Sequence, residues 1–294
     1  MKRRFAIIVN PVAGRGKTLR KLRYLKELTE KFDNADFEFY FTEHPFHAAR
    51  IAEAIRREYD AIVAFGGDGT ANEVMHGLAG TEIPFGIIPQ GTGNDLARSL
   101  NMDFNIEKAL EKIVNFDTKS IDVGTIGNRI FLNGVGIGFD GYVNHVSKNI
   151  RILKGPLIYF TTILFCLLVW KSIPIHLEVD GKSYGKMHIF LLAVGNGSSI
   201  GGGLKLTPNA DMEDARFDIC RIDNVPLFKI IFNLFRLKDG TISKVKEVSL
   251  FRGRKLKIMG ERPLPVHYDG EIYDRGVTEI DISIFPKSAV VITG

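Results

Sequence analysis

Asp68 stands among glycines in the run Gly66-Gly67-Asp68-Gly69-Thr70-Ala71-Asn72-Glu73. Glycines between a strand and a helix let backbone N–H groups approach phosphate oxygens, and the helix N-terminus adds a favourable partial charge. A carboxylate in such a turn would repel a bare phosphate. It makes sense where it engages Mg²⁺ carried by a nucleotide, directly or through water. The plain alternative is a tight strand-to-helix turn with an aspartate cap. Two further turns in matching places, Asn10-Pro11-Val12-Ala13-Gly14 and Gly91-Thr92-Gly93-Asn94-Asp95, weigh against it. A P-loop is absent, because Pro11 stands where its first glycine belongs relative to Gly16-Lys17-Thr18, and no dinucleotide-binding G-x-G-x-x-G follows the first apolar run. Elsewhere Asp211, Glu213 and Asp214 crowd one segment, which reads either as a solvated loop or as oxygen ligands for Mg²⁺.

These residues need elements to hold them. The apolar runs Phe5–Val9, Asp60–Phe65 and Phe85–Ile88 each lead into one of the Gly-rich turns, and helical patterns follow at Thr18–Phe32, Ala71–Leu78 and Leu96–Leu100. Strand, turn and helix in repetition predict a parallel α/β sheet, which places all three turns beyond the carboxyl ends of its strands, where such sheets bind ligands. From about Asp122 the pattern becomes β-rich. Strands are expected over Phe131–Gly141, Ile175–Val179, His188–Val194, Phe217–Arg221, Ser249–Phe251, Lys255–Met259, Val266–Tyr268 and Glu279–Phe285, with Asp180-Gly181 and Asp269-Gly270 as hairpin turns. The expected division is a nucleotide-binding α/β domain over 1–125 and a β-rich domain over 126–294, the last residues returning to the first domain.

Two helical stretches interrupt the second half. Gly155–Trp170 is uncharged and too short to span a bilayer, leaving a buried helix or one at a membrane surface. Pro226–Leu237 places Lys229, Asn233 and Arg236 on one face, with its apolar side expected in the core or on a membrane.

The 294 residues carry 39 Lys and Arg against 34 Asp and Glu, a net charge of +5. Residues 1–26 hold nine basic groups and no acid, and residues 236–257 hold eight against Asp239 and Glu247. Such clusters form either a solvated face or a site for an anionic partner. The aromatic interleaving of an RNA-binding sheet is missing, so nucleic acid is not expected. With only Cys166 and Cys220, a disulfide framework is excluded, and a reducing compartment fits. The seven histidines are scattered and form no zinc pattern; His267, near Glu271, reads first as a strand-packing residue and second as a ligand or relay.

Asn10-Pro-x-x-Gly14, Gly66-Gly-Asp-Gly-Thr70 and Pro89-x-Gly-Thr-Gly-Asn-Asp95 together resemble the diacylglycerol kinase catalytic family, especially its soluble bacterial lipid kinases, relatives of sphingosine and ceramide kinases. The likeness continues through Ile121-Asp122, Phe131–Asp140, Gly195-Asn-Gly197, Gly201–Gly203, Thr207–Ala210 and Asp269-Gly-Glu271. It implies an α/β nucleotide domain, a β-sandwich domain and ATP at the cleft between them. Asn10, Pro11, Val12, Ala13, Gly14, Thr42, Gly66, Gly67, Asp68, Gly69, Thr70, Ala71, Asn72 and Thr92 would line the nucleotide. Asp68, Asp95 and Asp122 would form an acidic network linked to Mg²⁺, with Asp68 serving catalysis. A structural Mg²⁺ would be held by the Asp214 carboxylate and the carbonyls of Asp211 and Arg216. Glu271 would be the general base.

Three positions depart from the family pattern: Ala13 replaces a common serine, His76 an asparagine, and Phe46 the glycine before His47-Ala48. The expected activity is ATP- and Mg²⁺-dependent phosphorylation of diacylglycerol to phosphatidic acid, in the cytoplasm, with peripheral docking on the anionic inner membrane face and a homodimer left open. The alternatives are a kinase for another lipid alcohol (sphingoid base, ceramide or phosphatidylglycerol), an NAD kinase, or a regulator that binds nucleotide or lipid without catalysis. The Gly-Ser-Thr-Ala-Tyr segment of NAD kinases has no counterpart here.

Overall fold

A computed structural model describes residues 2–149, 156–274 and 276–293. The chain divides into two compact units: Met1–Val123 with Gly201–Gly203 and Pro286–Gly294, and Gly124–Ile200 with Leu204–Phe285. The first unit runs β1 (Arg3–Val9), α1 (Ala13–Thr29), β2 (Ala35–Phe41), α2 (His47–Ile55), β3 (Ala61–Gly66), α3 (Asp68–Leu78), β4 (Phe85–Pro89), α4 (Asp95–Ser99) and α5 (Ile106–Asn115), and enters β5 (Thr118–Ile126). Its strands pair in parallel in the order β4-β3-β1-β2. Every residue of β3 and β4 is buried, the continuous apolar character of strands covered on both faces. The edge strand β2 alternates instead, and its weak run conceals it in the sequence.

The second unit continues with β6 (Arg129–Phe131), β7 (Gly134–Gly138), α6 (Phe139–Asn149), α7 (Pro156–Val169), β8 (Ile173–Val179), β9 (Lys182–Gly195), β10 (Phe217–Asp223), α8 (Leu227–Asp239), β11 (Val248–Gly253), β12 (Lys255–Gly260), β13 (Val266–Tyr268), β14 (Glu271–Ile272) and β15 (Glu279–Ile292). The last strand carries the chain back into the first unit, where Val291 lies beside Phe85. Within the second unit β14, β13, β7, β9, β8, β12 and β15 pair in that order, all antiparallel, and β10 joins β9 to β11. Side chains alternate along β10, and along β9 except at Phe190-Leu191, where the register with β10 shifts. Ile189, Val194, Phe217 and Ile219 enter one apolar core, while Phe190, Ala193, Cys220 and Ile222 enter another with residues of α6 and α7.

One local expectation changes, and two helices whose apolar sides the sequence left open are resolved. Phe131–Gly141 is not one strand: β7 stops at Gly138, whose φ of +89° turns the chain, and its N–H donates to Pro265 O at 3.0 Å as α6 begins. The uncharged stretch is helical over Pro156–Val169, and Gly155 lies outside the described residues. Cys166 and Leu167 are buried, yet Phe165 and Leu168 are 56% and 73% exposed, so the helix is buried on one side only. In α8 Lys238 and Asp239 are exposed, but Lys229, Asn233 and Arg236 are only partly so. Lys229 pairs with Glu247 and Asn233 donates to Lys229 O, while Phe228, Ile231, Phe232 and Phe235 are exposed. Ile230, Leu234 and Leu237 face the interior, so the aromatic side of the helix looks outward.

Candidate functional site

The three Gly-rich turns follow β1, β3 and β4, and the parallel register brings them to one end of the sheet. Asn10 N–H donates to Phe65 O at 3.2 Å, its Nδ2 donates to Thr70 Oγ1 at 3.0 Å, and its Oδ1 accepts the Val12 N–H at 3.2 Å. One asparagine therefore ties the first turn to the second while shaping its own loop. The approach is close enough to demand missing side chains. A β-carbon at Gly67 would lie 2.8 Å from Gly91 Cα, and one at Gly14 would lie 2.2 Å from Gln90 O. Residues 14–16 depart from helical geometry within α1, and Arg15 holds a φ of +63° there.

Pro11 and Val12 continue this loop, and Ala13 donates its N–H to Asn10 O at 3.2 Å, so the contact made there is a backbone one that a serine hydroxyl is not needed for. Gly69, Thr70, Ala71 and Asn72 form the first turn of α3, with Thr70, Ala71 and Asn72 buried. Thr42 joins the group from β2's end, because its N–H donates to Val9 O at 2.9 Å. Phe46 takes a left-handed φ of +63°, the conformation for which glycine is the ordinary choice, so the loop keeps its shape at the cost of strain. Thr92 is exposed in the third turn, and Asn94 closes that turn by exchanging bonds with Gly91.

The acids occupy distinct places. Asp68 Oδ1 accepts the Leu96 N–H at 3.1 Å, and Asp95 accepts from Gly202 and Gly203 N–H at 2.8 and 2.7 Å. A β-carbon at Gly93 would lie 3.1 Å from Asp68 Oδ2 and 3.3 Å from Asp95 Oδ2, so these two carboxylates flank the same glycine. Asp122 is fully buried in β5 and accepts the Lys287 N–H at 2.8 Å. The amides of Gly202 and Gly203 are partners of Asp95 that spacing alone could not reveal, since they come from a segment more than a hundred residues away.

In the second unit Asp214 Oδ1 accepts the Arg216 N–H and its Oδ2 pairs with Arg252 Nη1, both at 3.0 Å, while Arg252 Nε also reaches Asp218 at 3.1 Å. Burial pushes the Asp218 carboxyl above its usual range, and Arg252 draws it back only in part. Asp211 Oδ1 accepts the Glu213 N–H at 3.0 Å. Among the described residues no group of three or more His, Cys, Asp or Glu is arranged to hold a metal ion. Oxygen is the only donor type that Asp211, Asp214 and Arg216 offer a cation here, which fits magnesium with several retained waters.

Glu271 opens β14, opposite Tyr268, after a turn in which Asp269 and Gly270 have φ of +44° and +79°. The Asp269 carboxylate accepts the N–H groups of Leu132, Asn133 and Gly134 at 2.7, 2.9 and 2.9 Å. That residue is an anchor. His267 is buried but not simply packed, because its Nε2 lies 2.8 Å from Asp140 Oδ2.

An α/β unit whose three Gly-rich turns converge, followed by an antiparallel β-sandwich unit, is the architecture of diacylglycerol kinases and NAD kinases. Residues 4–126 match the diacylglycerol kinase catalytic domain, and residues 133–293 match the YegS C-terminal NAD kinase beta sandwich-like domain. The chain is 31% identical over 283 residues to a diacylglycerol kinase of Staphylococcus haemolyticus, covering 92% of this chain and 83% of that one. It is 30% identical over 281 residues to that of Bacillus subtilis, covering 92% and 90%. A crystal structure of a diacylglycerol kinase from Bacillus anthracis superposes with a TM-score of 0.73 at 25% identity, covering 99% and 97% of the two chains. An NAD kinase from Archaeoglobus fulgidus in complex with ATP shares the fold alone, with a TM-score of 0.55 at 17% identity over 98% and 93% of the chains. The chain belongs to the diacylglycerol kinase family.

Proposed function

We propose that this kinase transfers the γ-phosphoryl group of ATP to the free hydroxyl of diacylglycerol, making phosphatidic acid. The observation that supports a lipid acceptor is an apolar cavity of about 120 Å³ in the second unit, room for a short stretch of acyl chain, walled by Phe139 and Val143 of α6, Leu167 of α7, and Ile230, Leu234 and Leu237 of α8. A nucleotide acceptor such as NAD has no use for such walls. The exposed aromatic face of α8 and the exposed Phe165 and Leu168 of α7 support docking on a membrane. Lys238, Lys244 and Lys246 add exposed positive charge, which favours the anionic inner face. Among the described residues no helix is long and apolar enough to cross a membrane.

The first unit would hold ATP on the turns built by Asn10–Gly14, Gly66–Asn72 and Thr92, with Thr42 beside them. Asp68 and Asp95, flanking Gly93, would hold nucleotide-borne Mg²⁺ directly or through water, and Asp122 would belong to the same acidic network. Asp214 with the carbonyls of Asp211 and Arg216 would hold a structural Mg²⁺, sharing the carboxylate with Arg252. Bound with the nucleotide, Mg²⁺ supplies charge neutralisation of the phosphoryl oxygens. Backbone N–H groups of the turns orient the phosphates and stabilise the charge that spreads over the transferring group, the larger share of catalysis in this chemistry. Glu271 would take the acceptor proton late, once bond formation has acidified the attacking oxygen.

The test is radiolabelled ATP with a panel of diacylglycerol, sphingoid base, ceramide, phosphatidylglycerol and NAD, followed by chromatography. Labelled phosphatidic acid is the expected product. Label on NAD, or on none of the lipids, would overturn the proposal.

A further inference from the structure

The hairpin that carries Glu271 is fastened by α6, and the same helix walls the apolar cavity. Asn144 Nδ2 donates to Gly270 O at 2.8 Å, gripping the turn immediately before Glu271. One helical turn earlier, Asp140 Oδ2 meets His267 Nε2 at 2.8 Å on β13. At the root of the helix the Gly138 N–H donates to Pro265 O at 3.0 Å, one residue before that strand. Room for the Asp140–His267 contact comes from β7: a β-carbon at Gly136 would lie 2.3 Å from both contacting atoms. Because Tyr268 and Glu271 are register partners, whatever displaces β13 displaces Glu271. Phe139, Asp140 and Val143 meanwhile line the cavity.

We propose that α6 is the positioning element for Glu271, with Asn144 and Asp140 as its positioning residues. A stretch of acyl chain lodged in the cavity and the carboxylate that takes the acceptor proton are then registered by one helix, so cavity shape and turnover are coupled. This rests on the reading that Glu271 is the base for a lipid acceptor.

In the full chain, assayed with diacylglycerol in mixed vesicles, Asn144→Ala is expected to lower kcat about 10- to 100-fold by misplacing a reacting group, with KM for ATP unchanged. In a Glu271→Gln background the same substitution should cost nothing further, because a residue acting through Glu271 has nothing left to position. Asp140→Asn retains an oxygen for His267 and should keep more turnover than Asp140→Ala. Amide exchange across residues 266–273 reads the tie without any acceptor, and Asn144→Ala should speed it. Should Asn144→Ala fail to fold, Asn144→Asp removes the donor at nearly constant shape and carries the same measurements. Additive losses in the double variant, or unchanged exchange in the hairpin, overturn the proposal. If Glu271→Gln keeps wild-type turnover while Asn144→Ala speeds exchange, the error lies in the choice of base, and the positioning role falls with it. If wild type phosphorylates no lipid, the exchange result alone separates a wrong acceptor from a wrong tie.

Discussion

Asn10 Nδ2 donates to Thr70 Oγ1 at 3.0 Å, joining the loop after β1 to the helix after β3. Thr70 is buried, so removing its oxygen leaves the Asn10 amide without that acceptor. Asn10 is only partly buried, so water replaces part of the bond and its loss costs about 0.5–1.5 kcal/mol. Thr70→Val is therefore expected to lower stability by that amount and to weaken ATP binding, read by denaturant melts and calorimetric titration. An unchanged Kd for ATP would separate this bond from nucleotide binding.

Glu271→Gln preserves the shape of the side chain and removes its basicity. Turnover should fall by about 10²–10⁴-fold, the usual contribution of a positioned general base, with ATP and vesicle binding intact. A variant with wild-type kcat at saturating ATP and lipid would remove Glu271 from the chemistry.

The Asp211–Arg216 loop offers a thermal test. Wild type should gain melting temperature as magnesium is titrated, and Asp214→Ala should start lower and gain less. Part of the initial loss comes from Arg252, which the substitution strips of one of its two carboxylates. Identical magnesium responses in the two proteins would mean that Arg252 alone closes the loop.

Membrane docking separates two kinds of basic residue. Lys244 and Lys246 are exposed, and neutralising them should weaken binding to anionic vesicles by about 1 kcal/mol each, an effect that salt suppresses. Lys229 is paired with Glu247, which holds that carboxyl below its usual range, so Lys229→Ala should lower stability more than it lowers vesicle binding. Replacing Phe228, Phe232 and Phe235 by serine should abolish sedimentation with vesicles. Sedimentation indifferent to all of these changes would exclude this face.

Both cysteines are buried, and burial pushes the Cys220 thiol up to about 12 and raises Cys166 as well. The thiolate is the reactive form, so a raised pKa keeps both groups inert through neutral and mildly alkaline pH. Thiol reagents at pH 8 should label neither until the protein is denatured.

Apolar runs and the turns after them are local signals, and they declared themselves. Phe5–Val9 and Asp60–Phe65 are continuous because both faces of β1 and β3 are covered, and glycine-rich segments mark where the strands end. Asp180-Gly181 and Asp269-Gly270 likewise announced hairpins, since left-handed φ at both positions is a property of the dipeptide. The edge strand β2 escaped notice because an edge alternates, and α6 because a helix beginning at Phe139 depends on a bend at Gly138 that Pro265 stabilises from across the sheet.

What each polar group holds was not in the pattern. That Asp68 and Asp95 flank one glycine, that Gly202 and Gly203 amides face Asp95, and that Asp269 collects three amides all depend on segments distant along the chain. The same is true of α8. Its sequence presents a basic stripe and an apolar remainder, and helical periodicity cannot say which side meets water. The packing of Ile230, Leu234 and Leu237 against the rest of the unit decides it, with Lys229 paired to Glu247 beside them and Phe228, Ile231, Phe232 and Phe235 facing outward. Local sequence sets backbone preference and periodicity over a few residues, whereas the partner of a carboxylate or an ammonium group is chosen by whichever oppositely polarised group the completed fold brings within about 3 Å.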